Sequence, residues 1–425
     1  MAWLILLLFV LILLRVPIAF GLSFVSFLGI MMTDPGLLIN VPRRIFNGID
    51  SFTLIAVPLF ILAGELMTQG GISKRLISFS QTLVGHMYGG LALVVVLASM
   101  FFSALTGTAI AAAAAIGGMM IPAMTKEGYD IRFSTSLVAS SSTIGPIIPP
   151  SIVLILYGVI ASESIGDLFI AGVIPGILMG AALMIYSYYV GKKNNYRSRA
   201  ERASFKEIIV GAKDAVLALL MPLIIIGGIV SGYFTATESG VIAVLYAFII
   251  GMFVYRELKF KDLWQIVLNT AKTTATIVFL IGSASLFIWF LSFNSIPNQL
   301  VELMGPVAEN QFLLLLVINI VLLIAGTFID TISAVSIFTP LFLPLILAAG
   351  IDPVHFGIVM AVNLTVGMVT PPLGVCLFVT AGIGKISVPK MFKYLVPQII
   401  ILIVVLLIVT YLPDVIMFPV EFFNG

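Results

Sequence analysis

The sequence predicts an all-α polytopic membrane protein built from two inverted-topology repeats, each with a re-entrant helical hairpin and a broken helix. Three observations carry this. Of 425 residues, 61% are hydrophobic and only 9% charged, against about 25% charged in soluble domains. The apolar runs are continuous, unlike the weak alternation of transmembrane β-strands. Prolines and glycines also recur in one register: Pro122, Gly128, Asp130, Thr143, Gly145, Pro149, Pro150 and Pro175 meet Pro344, Gly350, Asp352, Thr365, Gly367, Pro371, Pro372 and Pro397, each 222 positions on.

The same composition excludes a soluble enzyme, a secreted disulfide scaffold and a disordered chain. A formal charge of +2 with no extended basic face leaves no nucleic-acid partner. One cysteine, Cys376, and two histidines, His86 and His355, provide neither an intrachain disulfide nor the usual zinc ligands. The opening run MAWLILLLFVLILLR has no basic residue before it and no small-residue cleavage site after it, so it reads as a retained membrane segment.

In chain order, residues 2–32 form two short spans around Arg15 or one long tilted helix, within an N-terminal scaffold over 1–50. Full spans follow at 52–70, 133–160, 168–190, 216–232, 239–255, 273–293, 356–383 and 394–412. Four apolar runs, 91–105, 110–124, 312–326 and 332–347, are too short: about fifteen residues give roughly 22 Å against a core of roughly 30 Å. They come in pairs joined by SALTGTAI (103–110) and AGTFIDTI (325–332), neither carrying Lys or Arg. They read as hairpins over about 91–124 and 312–347, whose tips stop inside the membrane.

The first repeat thus covers 51–190, with broken helix 133–160. A basic linker, 191–215, leads to scaffold helices over 216–272. The second repeat's transport elements fill 273–425, with broken helix 356–383 and a C-terminal helix. The basic run KKNNYRSRAERASFKEIIVGAK (192–213) belongs in the cytoplasm, because the Lys/Arg bias sets orientation. Counting from it puts Lys74, Arg75, Lys126, Arg132, Arg256, Lys259, Lys261, Lys385, Lys390 and Lys393 inside. The segments 161–167, 294–311 and 348–355 fall outside; only Arg43 and Arg44 dissent.

STIGPIIPPS (142–151) and LTVGMVTPPLG (364–374) place Gly and a Pro-Pro pair within apolar stretches. Proline removes a donor and clashes with a preceding carbonyl, so carbonyls near Gly145 and Gly367 should be unpaired. Freed carbonyls suit a dehydrated cation, and half-helix N-termini suit an anion. Inverted repeats with discontinuous helices at the midplane mark secondary transporters. An intramembrane enzyme lacks its nucleophile, acid–base pair or metal set, and paired hairpins suit alternating access better than an open pore.

Five stretches, SFTLIAVPLFILAGELM (51–67), GHMYGGLALVVVLASMFFSALTGTAIA (85–111), SSSTIGPIIPPSIVLILYG (140–158), GYFTATESGVIAVLYA (232–247) and NLTVGMVTPPLGVCLFV (363–379), resemble the large membrane subunit of tripartite ATP-independent periplasmic (TRAP) transporters, the DctM-like family. The resemblance runs over essentially the whole chain. It implies a sodium-coupled importer of small organic anions, such as a C4-dicarboxylate or sialic acid, in the bacterial inner membrane. It further implies a periplasmic substrate-binding protein, a separate small four-helix membrane subunit, and an elevator fold similar to the divalent-anion sodium symporters. Na+ is the only cofactor implied; a stand-alone ion-coupled anion transporter is the alternative.

Carried over by motif, one sodium site would use Ser103, Thr106 and Gly107 with Ser142, Gly145 and Pro149. The second would use Gly326 and Thr327 with Gly367, Thr370 and Pro371, and Asp330 as the N-cap of the returning helix with a part in sodium binding. Substrate would sit between the tips near Thr108, Thr143, Thr331, Asn363 and Thr365, whose hydroxyls and amide can donate to a carboxylate. Glu65 reads as hydrogen-bonded between helices or protonated, Glu238 as a helix cap, and both histidines as interfacial.

Overall fold

Helix boundaries in the computed structural model repeat with the register of the prolines. The structure describes residues 2–14, 16–196, 202–296, 299, 302 and 305–424, with no strand among them. Arg15, the centre of the basic linker and most of 297–304 lie outside the described residues. Shifted by 222, the hairpin arm Ala109–Lys126 coincides with Thr331–Ala348. The half-helices Ile131–Ser142 and Ile152–Ala161 match Pro353–Gly367 and Val375–Gly384. Each first half-helix follows a left-handed glycine, Gly128 (φ +86°) or Gly350 (φ +70°), a conformation that only glycine adopts without steric cost. Each is then capped by an aspartate: Asp130 accepts from the Arg132 amide at 2.9 Å, and Asp352 from the His355 amide at 2.8 Å.

The correspondence extends upstream. Ile18–Thr33 matches Ala236–Ile249. The continuous 34-residue helix Phe260–Phe293 matches two helices, Asn40–Ile49 and Ala56–Gln69, which the first repeat separates at Asp50–Ser51. The N-terminus resolves into two short helices, Ala2–Leu13 and Ile18–Thr33. Leu8 lies against Gly21 and Leu4 against Gly29, so they run antiparallel.

The hairpin arms are longer than their apolar runs. Gly90–Thr106 has 17 residues and Ala109–Lys126, Gln311–Phe328 and Thr331–Ala348 have 18 each, about 27 Å at 1.5 Å per residue. The helices continue into polar ends such as Thr125–Lys126, so arm length alone does not stop the tips inside a bilayer. The stop comes from packing: each tip abuts a helix break that lies 12 to 15 residues into its own broken helix.

The two repeats interlock. The returning arm of each hairpin packs on the second half-helix of the other repeat, Ala109–Lys126 on Val375–Gly384 and Thr331–Ala348 on Ile152–Ala161. Cross-repeat hydrogen bonds join them: Tyr157 donates to the Pro353 carbonyl at 2.6 Å, and Ser140 to Gln398 Oε1 at 2.7 Å. Around this core lies an outer layer, which we refer to as the scaffold, in which Ala56–Gln69 packs on Ala236–Ile249, and Phe260–Phe293 on Ile18–Thr33 and Asn40–Ile49. Residues 273–293, expected among the transport elements, thus continue one helix of this layer. Thr235 and Glu238 form a reciprocal capping box. His355 is not interfacial: it is 2% exposed, with Nε2 2.8 Å from the Val409 carbonyl.

Asp130 gives a pH test. Arg132 hydrogen bonds hold its carboxyl below the usual range. A depressed acid stabilises the fold above its unfolded value, about 3.9, and that contribution disappears as pH falls through the folded value. We expect Asp130→Asn to lower the melting temperature slightly at pH 7 and to flatten its decline below about pH 4, read by thermal unfolding across pH.

Candidate functional site

At the first break, residues 143–151 leave the helix after Ser142 and re-enter it at Ile152. Turn hydrogen bonds take the carbonyls of Ser140, Ser141, Ser142 and Ile144. Among the described residues, nothing donates to those of Thr143 and Gly145. Ser151 caps the second half-helix, accepting from the Leu154 amide at 3.2 Å while donating to the Pro146 carbonyl. The second break differs. The Gly367 carbonyl accepts from the Thr370 amide at 2.9 Å, so it is not left free as its proline context predicts, and Met368 O accepts from Cys376 at 3.2 Å.

Each hairpin tip closes on its own repeat's break. The first turns through Gly107 (φ +61°) and Thr108. A Cβ on Gly107 would lie 2.5 Å from the Pro150 carbonyl oxygen, and one on Gly145 would lie 2.8 Å from the Thr108 carbonyl. At the second tip Ile329 is extended and needs no glycine, but a Cβ on Gly367 would lie 2.6 Å from the Gly326 backbone. The Gly374 amide then donates to the Thr327 carbonyl at 3.3 Å. Pro149–Pro150 and Pro371–Pro372 are both cis.

Between the tips, the breaks and the scaffold lies a cavity of about 560 Å³. Thr106, Gly107 and Thr108 line it from the first tip, Asp330, Thr331 and Ile332 from the second, and Pro146 and Met368 from the breaks. The scaffold contributes Gly64, Glu65, Thr68 and Thr273. Two lining residues are carboxylates and none is Lys, Arg or His. Asp330 caps the returning arm, accepting from the Ser333 amide at 3.1 Å. Glu65 lines the cavity and makes no hydrogen bond or ion pair among the described residues, so the expected interhelical bond is absent there.

The expected ligands fall into two groups. Thr106, Gly107, Thr108, Asp330 and Thr331 share the cavity. Ser103, Ser142, Thr143, Asn363 and Thr365 are fully buried away from its lining. Thr143 donates to the Ser140 carbonyl and Thr365 to Val362, at 2.7 and 2.8 Å, while the Asn363 amide donates to Asn319. Their protons are engaged inside the core, which removes these three as donors to a substrate carboxylate. Ser103, Ser142, Thr327 and Thr370 likewise donate to their own helix carbonyls. Such hydroxyls keep lone pairs for a cation but have no proton for an anion.

The sequence reading missed Glu65 and Thr273 as cavity residues, and Ser99 and Ser141, whose buried hydroxyls have no partner. The threonine-rich helical stretch NTAKTTATIV (269–278) was the available signal for Thr273.

A family model described as the tripartite ATP-independent periplasmic transporter, DctM component, matches residues 5–415. The isethionate TRAP transporter permease protein DctMQ of Oleidesulfovibrio alaskensis is 40% identical over 95% of the chain, which spans 64% of that protein's length. The sialic acid TRAP transporter large permease protein SiaM of Vibrio cholerae is 38% identical over 96% of both chains. The C4-dicarboxylate TRAP transporter large permease protein DctM of Pseudomonas aeruginosa is 39% identical over 91% of both. Among solved structures, the Alcanivorax borkumensis YdaH transporter shares the fold, with a TM-score of 0.63 and 14% identity, over 88% of this chain and 87% of that one.

We expect Gly145→Ala and Gly367→Ala each to destabilise the protein by about 1–3 kcal/mol, because the added methyl meets backbone that must shift. Gly118→Ala, with open space around it in the interior of Ala109–Lys126, should keep or slightly raise the thermal unfolding midpoint, because alanine favours the helix.

Proposed function

The chain belongs to the DctM component family of tripartite ATP-independent periplasmic transporters, and from that premise we propose that it is the large permease of a sodium-coupled importer of a small organic anion. It is a polytopic membrane protein and a transporter subunit, not an enzyme. The proposal places it in the bacterial inner membrane, working with a small membrane subunit and a periplasmic substrate-binding protein. The relatives named above handle isethionate, sialic acid and C4-dicarboxylates. What these substrates share is an acidic group on a small polar body, and a carboxylate is the class we favour.

One observation carries the sodium reading. The cavity that would receive an anion contains Glu65 and Asp330 and no basic side chain. An anion there meets like charge in a poorly screened site. Bound Na+ would supply the positive charge that the side chains lack, and hard cations take oxygen ligands. The donor set fits: oxygens of Ser103, Thr106 and Ser142 with the free Gly145 carbonyl at the first break, and Thr327, Thr370 and Asp330 with nearby carbonyls at the second. Ser99 and Ser141 add two unpartnered buried hydroxyls to the first set. Gly107, Pro149, Gly326, Gly367 and Pro371 act through the backbone shape they permit.

Thr108 is the hydroxyl placed to donate to substrate, and Thr331, whose hydroxyl donates to Met368 Sδ at 3.0 Å, would exchange that weak sulfur acceptor for a substrate carboxylate. The cavity lies where the interlocked core meets the scaffold helices Ala56–Gln69 and Phe260–Phe293. Sliding of that core along the scaffold would carry the site across the membrane, which is the elevator mechanism we favour.

Two measurements test this. Thermal unfolding in sodium, potassium and choline chloride at equal ionic strength should show a saturable rise in sodium alone, about 2.7 kcal/mol at a hundred times Kd; identical curves in the three salts would return the coupling to protons. In proteoliposomes with the binding protein, Thr108→Val and Thr331→Val should raise KM about tenfold, the worth of a hydrogen bond to a charged group, and Thr365→Val should not. Uptake of free substrate without a binding protein would favour a stand-alone transporter instead.

A further inference from the structure

The two arginines that violate the charge bias lie on a surface whose chemistry explains them. Arg43 and Arg44 belong to the ten-residue helix Asn40–Ile49, about 15 Å long and too short to cross a bilayer. Its inner side is fixed against the outer part of Phe260–Phe293: Gly48 touches Ser285, and Ile45 and Ile49 lie against Gly282. Among the described residues, the opposite side has no protein neighbour. Ile39 is 83% exposed, Phe46 72% and Phe52 66%, and both arginines are exposed.

Neither arginine meets a carboxylate among the described residues. The Arg44 guanidinium stands 5.0 Å from the Trp289 ring centroid. Repeat symmetry places this helix opposite the start of Phe260–Phe293, where Lys259 and Lys261 flank exposed Phe260 and Trp264 on the cytoplasmic side. Each leaflet therefore meets a cluster of basic and large apolar side chains, a pattern that seats apolar groups at the acyl boundary and cations at the phosphates.

We propose that Asn40–Ile49 binds anionic phospholipid of the outer leaflet, with Arg43 and Arg44 on the headgroup phosphate and Ile39, Phe46 and Phe52 among the acyl chains. Arginine suits this role because its planar fork matches phosphate in a bidentate way. A protein partner would have to bring acidic groups to the edge of an apolar face, whereas a phospholipid offers both in one molecule. The outward arginines are then held by lipid and do not argue against the orientation.

Trp289 provides a local reporter. The chain has three tryptophans, so Trp3→Phe with Trp264→Phe leaves Trp289 alone. In vesicles of phosphatidylcholine and phosphatidylglycerol, brominated acyl chains are placed on one lipid or the other at equal mole fraction. We expect brominated phosphatidylglycerol to be enriched beside Trp289 by about fivefold per engaged arginine. Arg43→Gln with Arg44→Gln should erase the preference, and the paired Lys variants should retain most of it. Equal quenching by both lipids, or an undiminished preference in the Gln variant, overturns the proposal. So does loss of the preference on adding soluble glycerol phosphate, which would indicate a free-anion site. Shielding of Trp289 from both lipids when the small membrane subunit is bound would assign the face to that subunit instead.

Discussion

Two breaks in helical backbone, at 143–151 and 368–374, lie within a chain built to occupy hydrocarbon, where each unsatisfied peptide group costs several kcal/mol. The hairpins follow from that constraint. A broken helix is tolerated at depth only if protein or a polar cavity covers it, and each hairpin delivers a two-residue tip to its own break. Close approach then dictates composition. Gly107 against Pro150, Gly145 against Thr108, and Gly326 against Gly367 are contacts between backbones, and a side chain at any of them would open the seal.

The seal is incomplete by the same chemistry that makes it useful. Hydroxyls along both tips and breaks donate to carbonyls of their own helices, directing lone pairs rather than protons to their surroundings. Free carbonyls remain at the first break. The cavity beside them has carboxylates and no Lys, Arg or His among its lining residues, so in the proposed function an anion would be matched there only with cations at the oxygen-rich corners. Under that proposal, charge balance would link the two kinds of ligand without any direct contact between them.

Legibility differed from one kind of residue to another. Gly128 and Gly350, Asp130 and Asp352, and the Pro-Pro pairs announced the repeat because each performs a backbone task, whether a left-handed turn, a cap or a lost donor, that few residue types can perform. The hairpin arms were underestimated because Lys126 and Gln311 ended the apolar runs without ending the helices. His355 looked interfacial from its place at a helix start, yet the Val409 carbonyl holds its ring inside the protein. The second break looked as open as the first, yet the Thr370 amide occupies the Gly367 carbonyl.

Taken by itself, the sequence determined the membrane-embedded class, the doubled architecture and the positions of both breaks, since hydropathy and backbone-restricting residues act locally and leave their mark at single positions. Tertiary structure decided which polar groups share the cavity. Thr108 and Thr143 are both threonines near a break, but one lines the cavity and the other spends its proton on Ser140 within its own helix. Glu65 became a cavity residue through the rotation of Ala56–Gln69 against the first tip, where Gly64 lets the helix approach Thr106. A hydroxyl or carboxylate can satisfy itself locally or face a neighbour at nearly equal cost, so only the packed fold selects between the two.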